Sequence, residues 1–543
     1  MNVALPHLLI VPIVMPLLAA AIMLLFGSRR ARFKSVVNIG ATLAGLLVAI
    51  EILRRVDEGG RPGAIGVYLA ANWEAPFGIV LVADRLSALM LALSGVVSLG
   101  AAVYASAGWS RAGVYFHPLF QIVLMGLNGS FLTSDLFNLF VFFEVMLAGS
   151  YGLQLHGSGF ARVRSGLHYI AVNLLASTMF LVGLGMLYGV MGTLSMADIA
   201  EKLPLDAARD RGLLHAGMAV LAVAFLTKAA IWPLNFWLVP AYAAASAPSA
   251  ALFALMTKVG IYVLLRLWTL LFMGAGPSAH FGAPVFAYGG LATIVFALIG
   301  LIASVRLGRI AGFSIIVSSG TLLSAIGIGV SAVTSAALFY LVSATLTASA
   351  LFLLVELVER KATAAPAPLP LDVDVQPGED TNLDDDETPL VGRMIPVPVA
   401  LLGFAFTACA LLVAGLPPLS GFLSKVALLS ALLERIESPA AVCLFAALLL
   451  SGLAATLSMS RAGIRHFWST PDTLPSHLRF VEGAPVLALL VACIWLTVRA
   501  EPVLRYTRDT ADSLHAPADY IDAVLSTKPV PGPTRPVIDE AQP

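Results

Sequence analysis

The sequence predicts an all-α polytopic membrane protein of about fourteen transmembrane helices. Hydrophobic residues fill 59% of its 543 positions and charged residues only 12%, where a soluble chain carries about a quarter charged residues. Apolar runs near the roughly 20 residues that a helix needs to cross a bilayer recur along the chain. Two of these runs are too long for one straight span, and each is broken by proline. The formal charge is zero, which offers no basic surface to nucleic acid and leaves the lipid bilayer as the expected surroundings.

In chain order the apolar windows are 4–27, 36–54, 82–106, 116–132, 136–155, 165–190, 213–243, 249–273, 284–305, 308–330, 334–358, 398–433, 439–463 and 481–499. The first, LLIVPIVMPLLAAAIMLLF, is followed by RRARFK and not by a small-residue cleavage site, so it reads as a retained span. The windows 213–243 and 398–433 hold the proline breaks. Lys and Arg collect in the loops after odd-numbered spans: Arg29, Arg30, Arg32 and Lys34, then Arg111, Arg162, Arg164, Arg306, Arg309, Arg360, Lys361, Arg461 and Arg465. Positive residues stay inside, which predicts both termini outside.

The insert ATAAPAPLPLDVDVQPGEDTNLDDDETP, residues 362–389, is Pro-rich, acidic and without apolar periodicity, and reads as a disordered cytoplasmic linker. The tail beyond 500 reads alike, except that YIDAVL (520–525) fits a short amphipathic turn. Cys409, Cys443 and Cys493 lie in separate apolar segments without metal-ligand spacing and read as small residues in lipid or helix contacts. No metal or cofactor is expected.

Four ionisable residues fall within spans. Glu144 lies in LFNLFVFFEVMLAGS, Lys228 in FLTKAAIWPLNFW, Lys258 in ALFALMTKVGIYVLL and Lys425 in GLPPLSGFLSKVALL. Each costs about 3 kcal/mol to insert at a helix centre. A lone lysine near a span end can snorkel to the interface, and a buried Glu–Lys pair can be purely structural. Packing alone does not repay four such costs, so the set points to function. A lysine held where its charged form is poorly solvated can take up and release a proton. If Glu144 approaches Lys228 in one state and not in another, the pair becomes a switch. A row of such groups joined by water is a proton relay.

Pro233, Pro417 and Pro418 fit that picture. Proline removes a backbone donor and clashes with the carbonyl four residues earlier. At membrane depth the freed groups are tolerated only against protein or a wet cavity. Paired broken helices in two halves point to an inverted-repeat transporter with its site near the midplane. The breaks share a loose skeleton, Pro233-Leu234 then Phe236 and Pro418-Leu419 then Phe422, although Lys228 precedes its break and Lys425 follows its own. Asp84 and Arg85 open a span in VLVADRLSALM and fit a satisfied interfacial pair. Asp135 fits a loop or helix cap. His168 and His117 fit interfacial positions at span starts, and Glu356 with Glu359 fits a solvated span end.

NGSFLTSDLFNLFVFFEVM, LTKAAIWPLNFWLVPAYAAASAPSAALFALMTKVGIYVLLR and AGLPPLSGFLSKVALL resemble the antiporter-like membrane subunits. That family unites the large proton-translocating subunits of NADH:quinone oxidoreductase with the A-type and D-type subunits of the Mrp-type monovalent cation/proton antiporter. The likeness spans roughly 80–500, and the length, YGLQLHGSG, GTLSMADIA and HAPADYIDAVL resemble the D-type (PhaD) branch. It implies helices 1–3 in 1–115 and two inverted five-helix repeats, helices 4–8 in 116–273 and helices 9–13 in 284–463. A last helix at 481–499 and a tail at 500–543 follow.

The resemblance further implies a relay of Glu144, Lys228, Lys258 and Lys425 in a bacterial inner-membrane complex with other membrane subunits, exchanging cytoplasmic Na⁺, or K⁺ or Li⁺, for external protons. The alternative it allows is the pumping membrane subunit of a quinone reductase, whose electron chemistry would belong to partners. An inert scaffold is the third reading. Many relatives carry a His and a Lys in the eleventh span. FYLVSATLTASALFLL (339–354) offers Ser343, Thr345, Thr347 and Ser349 instead, and the tenth span has SSGTLLSAIG. The expectation is that hydroxyls and water bridge this stretch.

Overall fold

A computed structural model describes residues 4–27, 30–58, 64–109, 113–205, 210–274, 276–360, 397–468 and 478–530. The acidic insert 362–389 and the end of the tail lie outside the described residues. Helices α1 (Ala4–Leu8) and α2 (Val11–Leu25) make the first span, followed by α3 (Ala31–Glu58), α4 (Arg85–Ala107), α5 (Phe116–Leu132), α6 (Leu136–Leu155) and α7 (Phe160–Met191). A short α8 (Met196–Leu205) precedes the first broken span, α9 (Arg211–Lys228) and α10 (Leu238–Ala244). Then come α11 (Ala247–Phe272), α12 (Ala283–Ala303), α13 (Leu307–Ile328) and α14 (Ser331–Glu359). The second broken span is α15 (Val397–Ala414) with α16 (Ser420–Leu433), and α17 (Pro439–Gly463) and α18 (Phe480–Val498) complete the bundle. Among the described residues, thirteen helices are long and apolar enough to cross a membrane, and α5, at 17 residues, supplies the fourteenth crossing.

Burial sorts these spans into a core and a rim. All 26 residues of α11 are buried, and α13 and α14 are nearly so. These helices pack on one another, with α9 and α4 also against α11 and with α16 and α18 also against α14. Helices α2, α3, α7, α12, α15, α17 and α18 turn wide apolar faces outward, as spans at a bundle rim do. The lysine-bearing helices α9, α11 and α16 meet this core, so ionisable side chains point into protein and not lipid.

Two local features depart from the sequence reading. Gly66–Leu69 and Val80–Ala83 pair as an antiparallel ribbon, β1 and β2, with Gly66 opposite Ala83. The third span therefore starts at Arg85, capped by Asp84, whose carboxylate accepts from the Ser87 backbone N–H. Secondly, the tail is ordered well beyond 500. Helix α19 (Ala500–His515) and helix α20 (Ala518–Ser526) form a strap across one end of the bundle. Thr507, Thr510, Ala511 and Leu514 make the buried face of α19. Ser331 Oγ donates to Asp512 at 2.6 Å, and Thr334 and Ser335 of α14 hydrogen-bond His515 and Thr507. Burial pushes the His515 imidazole below its usual pKa against the opposing pull of Asp512. A search for apolar runs misses such a helix because its inward face mixes Thr and Ala with Leu.

At the span end before the acidic insert, Glu356 is not merely solvated. It accepts from Trp109 Nε1 at 2.8 Å and from Arg360 at 2.6 Å, and Arg360 also reaches the buried Glu482 at 2.9 Å.

Candidate proton-relay site

Each broken span leaves a helix C-terminus at membrane depth, with carbonyls that lack intrahelical partners. Helix α9 ends at Lys228, and the chain turns through Ala230 at φ 55° before α10 begins. Trp237 Nε1 donates to the freed Thr227 carbonyl at 3.2 Å, and the Trp232 N–H donates to Thr293 Oγ1 of α12 at 3.0 Å. The break is thus satisfied by side chains from both sides. Thr293→Val is expected to lower unfolding stability by about 1–3 kcal/mol by leaving that N–H without its acceptor, measurable as a lowered Tm of the detergent-solubilised protein.

Each break has a buried lysine beside it, and the Lys425 ammonium sits at the negative end of a half-helix, where a cation is favoured. Lys228 is the last residue of α9. Its Nζ donates to the Asn173 carbonyl at 3.2 Å and to Ser177 Oγ at 3.4 Å, both on α7. Lys425 lies in α16 but reaches back across its break, donating to the Ala414 carbonyl at 2.9 Å and to Ser451 Oγ of α17 at 3.4 Å. The lysine order differs between the two breaks, and so does the reach of the ammonium: Lys228 turns away from its own break to α7, whereas Lys425 returns to the C-terminal carbonyls of α15. Gly415, at φ +74°, allows this: a Cβ there would stand 2.5 Å from Lys425 Cδ.

Lys258 is buried in α11, and its Nζ hydrogen-bonds Ser318 Oγ of α13. Glu144 in α6 is half-buried, with Oε1 enclosed and lacking a hydrogen-bond partner. Phe143 lies beside it in sequence and under the Lys228 ammonium, 5.3 Å from ring centre to Nζ, within cation–π reach. No ion pair within 4.0 Å joins Glu144 to Lys228 in the described residues; Lys228 is held by an aromatic face, a carbonyl and a hydroxyl.

The uncharged eleventh span borders a cavity of about 40 Å³ that also touches Ser318, Ser424, Lys425 and Ser451. A polar void needs about 10–15 Å³ to hold a water, so this one has room. Ser343 and Thr347 line it, and Ser343 Oγ lies 2.9 Å from Ser420 Oγ. Thr345 bonds its own helix at the Leu341 carbonyl, and Ser349 donates to the Ala251 carbonyl. Of the hydroxyls singled out, Ser343 and Thr347 are the ones that line the cavity between Ser318 and Lys425.

The remaining candidates fall elsewhere. Asp135 caps α6, accepting from the Asn138 N–H at 2.8 Å. His168 is exposed, with Nδ1 2.9 Å from the Arg164 carbonyl. Asp84 and Arg85 each have an ion-pair partner, but it is not the other. Arg85 faces Asp57 at 3.7 Å, and Asp84 takes a two-pronged bond from Arg266 at 2.5 and 2.6 Å. Arg266 carries no signal in the sequence beyond its place near the end of a span, eight residues after Lys258.

These features define a membrane protein with buried lysines beside two helix breaks and a cavity between the second of them and Ser318, the partner of Lys258. The NADH:quinone oxidoreductase/Mrp antiporter transmembrane family matches residues 133–451. A protein of Rhizobium meliloti (strain 1021), named as the D component of a probable K(+)/H(+) antiporter, is 50% identical over 96% of this chain and 98% of its own length. The D component of the Na(+)/H(+) antiporter of Alkalihalophilus pseudofirmus is 33% identical over 96% and 99%. A chain of the Mrp complex from Dietzia sp. DQ12-45-1b superposes with a TM-score of 0.80 at 26% identity, over 96% of this chain and 99% of that one. The chain belongs to the NADH:quinone oxidoreductase/Mrp antiporter membrane-subunit family.

Proposed function

We propose that this chain is the D-type component of an Mrp-type antiporter in the bacterial inner membrane, moving protons inward while Na⁺ or K⁺ leaves the cell. Two inverted five-helix repeats, 116–273 and 284–463, carry the relay, with both termini outside and the insert 362–389 in the cytoplasm. Glu144 and Lys228 act as a gating pair, Lys258 as the central proton site and Lys425 as the terminal one. The observation that carries this reading is the polar cavity between Ser318, the partner of Lys258, and Lys425. Water held there by Ser343 and Thr347 does what a charged residue in the eleventh span does in relatives that have one. The near-complete coverage of relatives named for K⁺/H⁺ and Na⁺/H⁺ exchange supports antiport over quinone-linked pumping. Other membrane subunits of the same complex complete the function.

The test is cation-dependent collapse of a pH gradient in inverted vesicles from antiporter-deficient cells expressing the whole complex. Wild type is expected to respond to Na⁺ or K⁺. Lys228→Ala is expected to lose at least about tenfold in rate while assembling normally on blue-native gels. Full exchange in the assembled variant would make Lys228 structural, and no exchange in the assembled wild type would favour the redox-linked pump.

A further inference from the structure

A second polar site lies outside the lysine line, before the stretch of chain that carries the family match. Between α2, α3, α4 and α5 is a cavity of about 20 Å³, lined among others by Thr42, Ser94, Ser98, Gln121 and Asn128. Thr42, Ser94 and Ser98 stand near the middle of their spans, and Gln121 and Asn128 lie within the shorter α5, so the cavity lies inside the bundle. No carboxylate and no basic side chain lines it.

The first span carries a proline beside it. Pro16 inside α2 has no N–H to give to the carbonyl of residue 12. Asn128 Nδ2 takes that carbonyl at 2.9 Å, which leaves Asn128 Oδ1 toward Ser94 Oγ, 3.3 Å away. Gln121 is fixed as firmly. Its Nε2 faces three oxygens, the Asn38 carbonyl at 3.1 Å, Asn38 Oδ1 at 2.7 Å and Thr42 Oγ1 at 2.9 Å. The Asn38 backbone carbonyl can only accept, so it is the amide nitrogen that faces it. Gln121 Oε1 is left enclosed without a donor, and so is Ser98 Oγ. Both belong to residues that are 0% exposed.

A buried acceptor without a partner calls for an occupant that supplies positive charge or a proton. Divalent cations are ordinarily held by carboxylates. Uncharged carbonyl, amide and hydroxyl oxygens that replace a hydration shell suit a monovalent alkali cation. We propose that a partly dehydrated Na⁺ or K⁺ binds in this cavity, with Gln121 Oε1 and Ser98 Oγ among its ligands. Lys34 stands on α3 eight residues before Thr42, about 12 Å along the axis, and donates to the Val114 carbonyl at 3.4 Å. That places its positive charge toward the start of α3 and outside the lining of the cavity. The inference rests on the antiport reading and gives its cation a place in this subunit, apart from the proton relay.

Ser98→Ala is the sharpest test, because Ser98 Oγ makes no hydrogen bond whose loss could unfold the helix. Equilibrium binding of radioactive Na⁺ and Rb⁺ to the purified whole complex is compared for wild type, Ser98→Ala and Gln121→Met. Exchange is measured in vesicles at several cation concentrations. The expectation is that Ser98→Ala weakens one class of site about 3- to 10-fold and raises the half-saturating cation concentration to match. Gln121→Met is expected to abolish that class, with assembly retained. Superimposable isotherms for wild type and Ser98→Ala would mean that the cavity holds internal water only and would overturn the proposal. Binding that is lost in the variants, in a complex without cation-dependent exchange, would keep the site and sink the antiport reading.

Discussion

Lys425→Ala is expected to remove at least about nine-tenths of cation-dependent exchange in vesicles while the complex still assembles. The expectation follows from what the ammonium touches. It is the cation at the freed end of α15, donating to the Ala414 carbonyl, and it faces the cavity that runs past Ser424 and Ser343 to Ser318. Alanine removes the ammonium and leaves the space it filled to water. A carbonyl that can turn to water loses about 1 kcal/mol, not the several that a dry orphan would cost. Stability should therefore change little while transport collapses. Lys425→Arg separates charge from proton exchange: a guanidinium keeps the positive end at the carbonyls but does not release its proton in proteins. Exchange should stay low in that variant also. Recovery with arginine would assign Lys425 to charge balance, and normal exchange in Lys425→Ala would remove it from the path.

The visibility of these residues in the sequence follows their cost. Lys228, Lys258 and Lys425 stand out because an ammonium in an apolar run demands an explanation, and the proline breaks do so for the same reason. Their partners stay hidden. Asn173, Ser177, Ser318 and Ser451 are small polar residues that a span carries cheaply. Ser318 and Ser451 each satisfy their own hydroxyl hydrogen on a carbonyl three residues back. Nothing in their spacing says which face meets a lysine; that is set by how α7, α13 and α17 pack. Pro16 is equally silent, because a single proline in an apolar run looks like an ordinary kink until Asn128, far along the chain, takes the freed carbonyl. Helix α19 is hidden for the converse reason: its sequence is polar enough for a tail, and its order comes from hydrogen bonds to α14.

Asp84→Ala is expected to be the most destabilising single change in the protein, at about 3–5 kcal/mol, because it strands a buried charge. Arg266 is enclosed, with its guanidinium between the rings of Tyr262 and Tyr520, 5.7 and 5.1 Å from the ring centres. Asp84 is its ion-pair partner, and Ser87 adds a bond at 3.3 Å. The same carboxylate caps α4, so its loss also costs about 1 kcal/mol in helix capping. The damage should spread to the strap, since Tyr520 of α20 donates to Ser134 at 2.9 Å and Tyr506 of α19 donates to the Arg85 carbonyl at 2.8 Å. Poor assembly on blue-native gels and earlier melting in detergent are the expected readouts. Asp84→Asn with Arg266→Met should recover much of the loss: asparagine keeps the cap, and methionine fills the space between the rings without a charge. If the single and double variants fail equally, the site needs ion-pair geometry and not merely neutrality. If Asp84→Ala alone assembles and melts like wild type, Arg266 finds water or another acceptor, and the pair is not what holds the strap to the bundle.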